Sequence, residues 1–230
     1  MHGLSSHNRS AGRRRFARFL AWGVILVLAG PRAPLYAQEI SDREYKVKAA
    51  FVYNFLKFVV GGRFGPGDGQ AGAAVDPNAV ILVGVIGKIP AQESFAELRG
   101  KSVQNKRVQV RFFQGFEEVR DVEQKIPDVH PQMQQIRRCH VLFLCPSEKP
   151  FLGRILPALQ KDGILVVGDT PGFLEAGGTI NLVIEDKKVR FEINTAAAAR
   201  AKLQIRSSLL RLALRTLEHD SLERRDDEGR

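Results

Sequence analysis

Cysteine is nearly missing from this chain of 230 residues: only Cys139 and Cys145 occur, beside one Trp and two Met. So few thiols exclude a disulfide-stapled scaffold and any zinc site built on clustered cysteines. The two cysteines bracket the apolar run Cys139-His140-Val141-Leu142-Phe143-Leu144-Cys145. Extended, that run would hold their Cα atoms roughly 20 Å apart, against a limit of about 7 Å for a disulfide. An internal bond would need Cys145 to leave the strand at Pro146 and fold back. Strand alternation places both cysteines on one face and His140 on the other, so the three do not converge as metal ligands.

Long apolar runs are also lacking. The most extended, Phe19 to Gly30, falls short of the roughly 20 residues a membrane-spanning helix needs. It follows Arg9, Arg13, Arg14, Arg15 and Arg18 and precedes Pro31 to Ala37. That layout is a secretory signal peptide, residues 1–37, with cleavage expected after Ala37 and an uncleaved anchor as the alternative. Arg13-Arg14-Arg15-Phe16 loosely resembles a twin-arginine signal. The segment holds six arginines and no acid, so its removal takes the formal charge from +10 to 10 − 6 = +4. A mature charge this small gives nucleic acid no electrostatic footprint.

Catalytic motifs are the third absence. There is no Gly-x-Ser-x-Gly elbow, and His130 and His219 fall in a loop and a tail. Asp169-Thr170-Pro171-Gly172 matches the GTPase switch sequence. The only Gly-Lys pair after a strand, Gly87-Lys88, continues into Ile89 and forms no phosphate loop, so the motif reads as a turn. The glycines from Gly61 to Gly69 follow a helix instead of opening one and serve as a linker. No cofactor is implied, and the chain reads as non-catalytic.

What is present is an alternating rhythm. Val47, Ala50, Phe51, Phe55 and Phe58 recur at helical spacing within 42–60. A loop to Asn78 follows, then strands at 80–86, 108–113, 141–144 and 164–167, with helices at 91–98 and 149–160 and an irregular stretch at 116–138. Thr179–Glu185 and Lys188–Ile193 form a hairpin about Asp186-Lys187 at the sheet edge. Asn194 caps a helix over 195–202, and Ser207 caps another with Leu210, Leu214 and Leu217 on one stripe. The expected fold is a single α/β domain over residues 38–217, with a mixed, mostly parallel sheet, helices on its faces and an edge hairpin. Residues 218–230 read as a disordered charged tail. Phe173, in a glycine-rich loop at the carboxyl end of a strand, either contacts a partner or ligand or tucks under the loop as a local core.

Several blocks resemble one family throughout the mature chain. They are Lys48-Ala49-Ala50-Phe51-Val52-Tyr53-Asn54-Phe55, Cys139-His140-Val141-Leu142-Phe143, Gly168-Asp169 with Pro171-Gly172-Phe173, Gly177-Gly178-Thr179-Ile180-Asn181, Arg190-Phe191-Glu192-Ile193-Asn194 and Ser207-Ser208-Leu209-Leu210-Arg211-Leu212-Ala213. They are similar to the YfiR family. The resemblance implies a non-catalytic periplasmic protein that binds the periplasmic domain of an inner-membrane diguanylate cyclase and represses cyclic-di-GMP synthesis. In the family, repression is relieved by redox state or by capture by an outer-membrane lipoprotein, and members form homodimers. Within these blocks Asp169, Phe173, Arg190 and Glu192 are the candidate partner- or ligand-contacting residues, and Cys139 and Cys145 the candidate redox cysteines. The alternative is a periplasmic small-molecule sensor with a crevice at the strand ends lined by Phe173 and its neighbours. Two departures stand out: Val59-Val60-Gly61-Gly62 replaces the family's Trp-Pro pair after the first helix, and the regulatory disulfides of better known members do not map onto two cysteines at this spacing.

Overall fold

The computed structural model describes residues 35–65, 79–120 and 123–218; the side chains of residues 35–41 are not described. The proposed signal peptide, except its last three residues, and the tail after residue 218 lie outside the described residues, as does 66–78 of the loop.

The elements in chain order are α1 (Leu35–Phe55), β1 (Val59–Gly61), β2 (Val80–Ile86), α2 (Gln92–Ala96), β3 (Ser102–Val103), β4 (Lys106–Phe113), α3 (Met133–Ile136), β5 (Val141–Leu144), α4 (Leu152–Leu159), β6 (Leu165–Gly168), β7 (Ile180–Glu185), β8 (Lys188–Asn194), α5 (Thr195–Arg200), β9 (Leu203–Ile205), α6 (Ser207–Leu210) and β10 (Arg215–Leu217). Short 3-10 turns at Gly62–Phe64 and Pro146–Phe151 complete the set.

Eight strands form one sheet in the order β10-β8-β7-β6-β5-β2-β4-β3, and β1 pairs with β9 in a separate ribbon. Five of the seven neighbouring pairs are parallel; the exceptions are the hairpins β3–β4 and β7–β8. The mixed, mostly parallel α/β sheet expected from the sequence is the one found. Its five central strands, β4-β2-β5-β6-β7, follow the doubly wound order 2-1-3-4-5 of flavodoxin-like sheets. Every residue of β5 and β6 is buried, as uninterrupted apolar runs covered on both faces must be.

Helices α1, α2 and α5 cover one face, where Val52, Phe55, Phe95 and Ala198 join Val83, Phe143 and Phe191 in one core. Helices α3 and α4 cover the other, with Met133, Ile136, Ile155 and Leu156 against Leu142, Leu144 and Phe173. The hairpin β7–β8 turns at Asp186 (φ 48°) and Lys187 (φ 60°), the left-handed pair of a two-residue type I′ turn. Asn194 caps α5 by accepting a hydrogen bond from the Ala197 amide at 2.8 Å, and its own amide donates to the Leu174 carbonyl at 2.9 Å.

The structure corrects several expectations. The hairpin lies one strand in from the edge, because Arg215–Leu217 is not the end of a helix but a strand parallel to β8. Helix α6 stops at Leu210, so Leu210, Leu214 and Leu217 share no helical stripe. On α1 the buried stripe is Tyr45, Lys48, Ala49, Val52 and Phe55, continued by Leu56 in the turn that follows, while Val47 and Ala50 face outward. The sequence pattern was phased on the apolar residues and so excluded Lys48, which is buried because it is paired. Finally, Cys139 and Cys145 lie on opposite faces, Cys139 with Leu142 and Cys145 with Phe143. Strand alternation does not extend back to Cys139, which closes the turn after α3 by donating a backbone hydrogen bond to the Ile136 carbonyl.

Phe173 is enclosed between two glycines. A Cβ on Gly168 would lie 2.5 Å from its ring, and one on Gly178 2.1 Å. Gly178→Ala is therefore expected to lower stability by about 1–3 kcal/mol through overpacking. Combining it with Phe173→Leu should cost less than the two single changes summed; urea unfolding of the three variants measures the coupling.

Candidate functional site

In a 2-1-3-4-5 sheet, ligands favour the crevice at the carboxyl ends of the strands where the order reverses, here between β2 and β5. That crevice is filled. Glu148, 1% exposed, folds into it and accepts hydrogen bonds from the Phe116 amide (3.0 Å) and the Ser147 hydroxyl (2.9 Å). Gly87 and Gly115 exist to admit it: a Cβ on either would come within 2.5 Å of its carboxylate.

The open space lies further along the same sheet edge, where β6 ends. After Gly168 the chain turns away through Asp169-Thr170-Pro171-Gly172, with Gly172 at φ 81°. The Thr170 amide donates to the Asn181 side-chain carbonyl at 3.1 Å, which ends the β6 ladder. The sequence reading of this tetrapeptide as a strand-to-loop turn holds. A groove of about 480 Å³ results, bounded by Glu44 and Lys48 of α1, Asp169 to Gly172, Leu182 to Ile184 of β7, and Glu175, Glu192 and Arg215.

Lys48 forms the floor of this groove. Its ammonium lies 2.6 Å from Asp169 Oδ2 and 2.5 Å from the Glu44 carboxylate one turn back, and 4.6 Å from the Tyr45 ring centroid. The Asp169 side chain has no exposed surface. Burial pushes its carboxyl above the ordinary carboxylate value, and the Lys48 ammonium opposes that shift. Burial likewise works against the charge on Lys48, yet Asp169 and Glu44 together more than offset it and hold the lysine protonated above its ordinary value. Burial and the same carboxylate raise the Tyr45 phenol far above its usual range. A lysine held protonated is neither a nucleophile nor a general base. The cluster fastens α1 to the end of β6. Asp169 Oδ1 has no hydrogen-bond partner.

At the rim, Arg215 donates from Nε to Glu192 Oε1 (3.0 Å) and from Nη2 to Glu192 Oε2 (3.2 Å) and Glu175 Oε1 (3.0 Å). Its pKa is raised by the bonds to Glu192 and then Glu175. The lining therefore carries four carboxylates against two cations.

Of the residues singled out in the sequence, Asp169 and Glu192 line this groove. Arg190 is exposed on β8, beside Val183. Phe173 has no exposed surface and packs on the α4 face as a local core under the loop. Cys139 and Cys145 are free and buried. Burial pushes the Cys139 thiol up to about 12 and Cys145, with Asp169 nearby, higher still, which leaves both poor nucleophiles. Among the described residues no group of three His, Cys, Asp or Glu side chains is placed to hold a metal ion. The sequence reading missed Glu44, Tyr45, Lys48 and Glu175 as residues of one site. The one signal for them was a lysine at a stripe position of an otherwise apolar helix face.

An open, mostly parallel sheet with its usual crevice filled and an acidic groove at a strand end defines a small α/β domain. The chain belongs to the YfiR/HmsC-like family, whose model matches residues 45–214. That family is regulatory, non-catalytic and periplasmic, with inner-membrane signalling proteins as its partners. No curated protein matches the chain. Among solved structures, a conserved domain protein from Vibrio cholerae O1 biovar El Tor shares 14% identity over 62% of this chain and 56% of its own, at a TM-score of 0.40. An ABC domain in complex with L-Trp from Streptococcus pneumoniae shares 11% over 60% and 55%, at 0.41. The chain thus spans little more than half the length of either structure.

Breaking the buried pair leaves an uncompensated charge. Lys48→Met is expected to lower stability by about 3–5 kcal/mol, and adding Asp169→Leu to recover most of it, as read from denaturation midpoints. A second prediction concerns His140. Its Nδ1 accepts from the Leu82 amide at 3.1 Å, and burial, with Lys106 and Arg63 nearby, lowers its pKa to about 4. The unfolded chain binds the proton more readily, so this contribution is complete above about pH 6.5 and is lost as pH falls toward 4. Unfolding free energy measured across that window should decline in the wild type and decline less in His140→Gln.

Proposed function

We propose that the chain is exported by residues 1–37 and acts in the periplasm, where residues 38–217 bind an inner-membrane diguanylate cyclase and repress cyclic-di-GMP synthesis. The family match over residues 45–214 carries this reading. The site supports it: the groove's ionisable groups are tied into ion pairs, with Lys48 held protonated, as suits a surface that binds without reacting. Among the described residues no helix is long and apolar enough to cross a membrane. Arg190 and Glu192 stand on β8 beside the groove and are the contact residues we assign to the partner, with Asp169 positioning α1 behind them.

The test is cellular cyclic-di-GMP in a strain lacking the gene, beside wild type and a complemented strain. Deletion should raise the level and complementation should restore it. An unchanged level in the deletion strain overturns the repressor reading.

A further inference from the structure

The groove differs from an ordinary surface cleft in containing a strand edge. Strand β7 pairs with β8 along its whole length, Ile180↔Ile193 to Glu185↔Lys188, but with β6 only at Ile180 and Asn181. The bond from the Asn194 amide to the Thr179 carbonyl sets the phase of the antiparallel ladder. With that phase, Asn181, Val183 and Glu185 direct their backbone groups to β8, and Leu182 and Ile184 direct theirs to the β6 side. Beyond Gly168, the last β6 partner, no strand among the described residues pairs with that side of Leu182–Glu185. Such an edge accepts an added strand.

The surroundings state which strand it would take. Leu182 and Ile184 share a sheet face with Phe191 and hence with α1, and Ile184 is 53% exposed there. On the opposite face, Glu192 and Arg215 are paired neighbours, with Glu175 bound to the same arginine. Four carboxylates against two cations leave the lining acidic, and buried Asp169 Oδ1 lacks a donor. A strand laid here presents alternate side chains to the α1 side, where Leu182 and Ile184 stand beside the Glu44–Lys48–Asp169 cluster, and to an acidic side of Glu175 and Glu192 about Arg215.

We propose that this groove binds an extended segment of the partner protein by strand addition to β7, in line with β6, and that the segment alternates apolar and basic side chains. The proposal rests on the reading of the chain as a protein-binding regulator and names the form of its contact. The Ile184 N–H is the donor offered to the incoming strand, and Glu175 and Glu192 receive its basic side chains.

The experiment uses the mature protein and a synthetic probe, Ac-Val-Arg-Val-Arg-Val-NH2, with two controls: the same peptide N-methylated at alternate amides, and Ac-Val-Glu-Val-Glu-Val-NH2. Calorimetry should show saturable binding of the basic peptide alone. Ile184→Pro removes the free donor without removing a ladder bond and should weaken binding about tenfold, the equivalent of 1.4 kcal/mol. Ile184→Val should leave binding unchanged. Glu175→Lys, an exposed change that does not touch the strand, should weaken binding to a similar extent. Equal binding of the acidic or N-methylated peptide, or a basic peptide bound equally by Ile184→Pro and Glu175→Lys, overturns the proposal, as does absence of binding. The same variants in the complemented deletion strain separate this inference from the function it rests on. Folded Ile184→Pro that represses like wild type overturns strand addition alone. Peptide binding with cyclic-di-GMP unmoved by deletion would overturn the cyclase reading and leave the groove assignment standing.

Discussion

The ion pair between Lys48 and Asp169 is the constraint on which the rest of the molecule depends. It joins a helix near the start of the described chain to the end of a central strand 121 residues later, at 2.6 Å, with the Asp169 side chain fully buried and that of Lys48 nearly so. Desolvation of two such charges is expensive, and their attraction offsets it only when the geometry is fixed. The pair therefore specifies the axial position of α1 on the sheet more than it adds net stability. With Lys48 in place, Tyr45, Ala49, Val52 and Phe55 meet the sheet, and Phe51 and Phe55 reach Phe191 at 5.8 and 5.2 Å between ring centroids.

The same pair shapes the groove. Asp169 is the first residue after β6, and its commitment to Lys48 takes the chain out of the sheet there. Asn181 then uses its side chain to satisfy the Thr170 amide, which a longer β6 would have presented to β7. Strand β7 runs on for four residues beyond its last β6 partner, and the space beside it becomes the groove. Meanwhile Glu148 occupies the crevice that doubly wound sheets usually leave open. One carboxylate closes the inherited site, and another opens a different one two strands away.

The sheet was legible because its central strands are apolar without interruption and its hairpin is short and polar at the turn. Asn194 announced its cap, since a side-chain acceptor before Thr195-Ala196-Ala197 has few other uses. The misreadings share a cause. Lys48 was left off the buried face of α1, and Cys139 was given the phase of a strand it precedes. Leu214 and Leu217 were assigned to a helix because three leucines at near-helical spacing satisfy that pattern even when the backbone pairs with β8 instead. The Lys48 and Leu217 errors arose where a partner distant in sequence overrode the local pattern, and the Cys139 error where the turn after α3 broke the strand's alternation. Phe173 carried two readings in the sequence, and only the positions of Gly168 and Gly178 decided between them.

By itself the sequence determined the class of the fold and the family blocks from Lys48 to Ala213, because periodicity, turn chemistry and motif spacing are properties of short segments. Tertiary structure alone decided that Lys48 is buried, that the two cysteines face apart across the sheet, and that β7 presents a free edge among four carboxylates. The first of these depends on residues that meet across 121 positions of chain, and charge pairing at such a distance leaves no periodic mark on either partner; the others depend on where a turn or a strand ends.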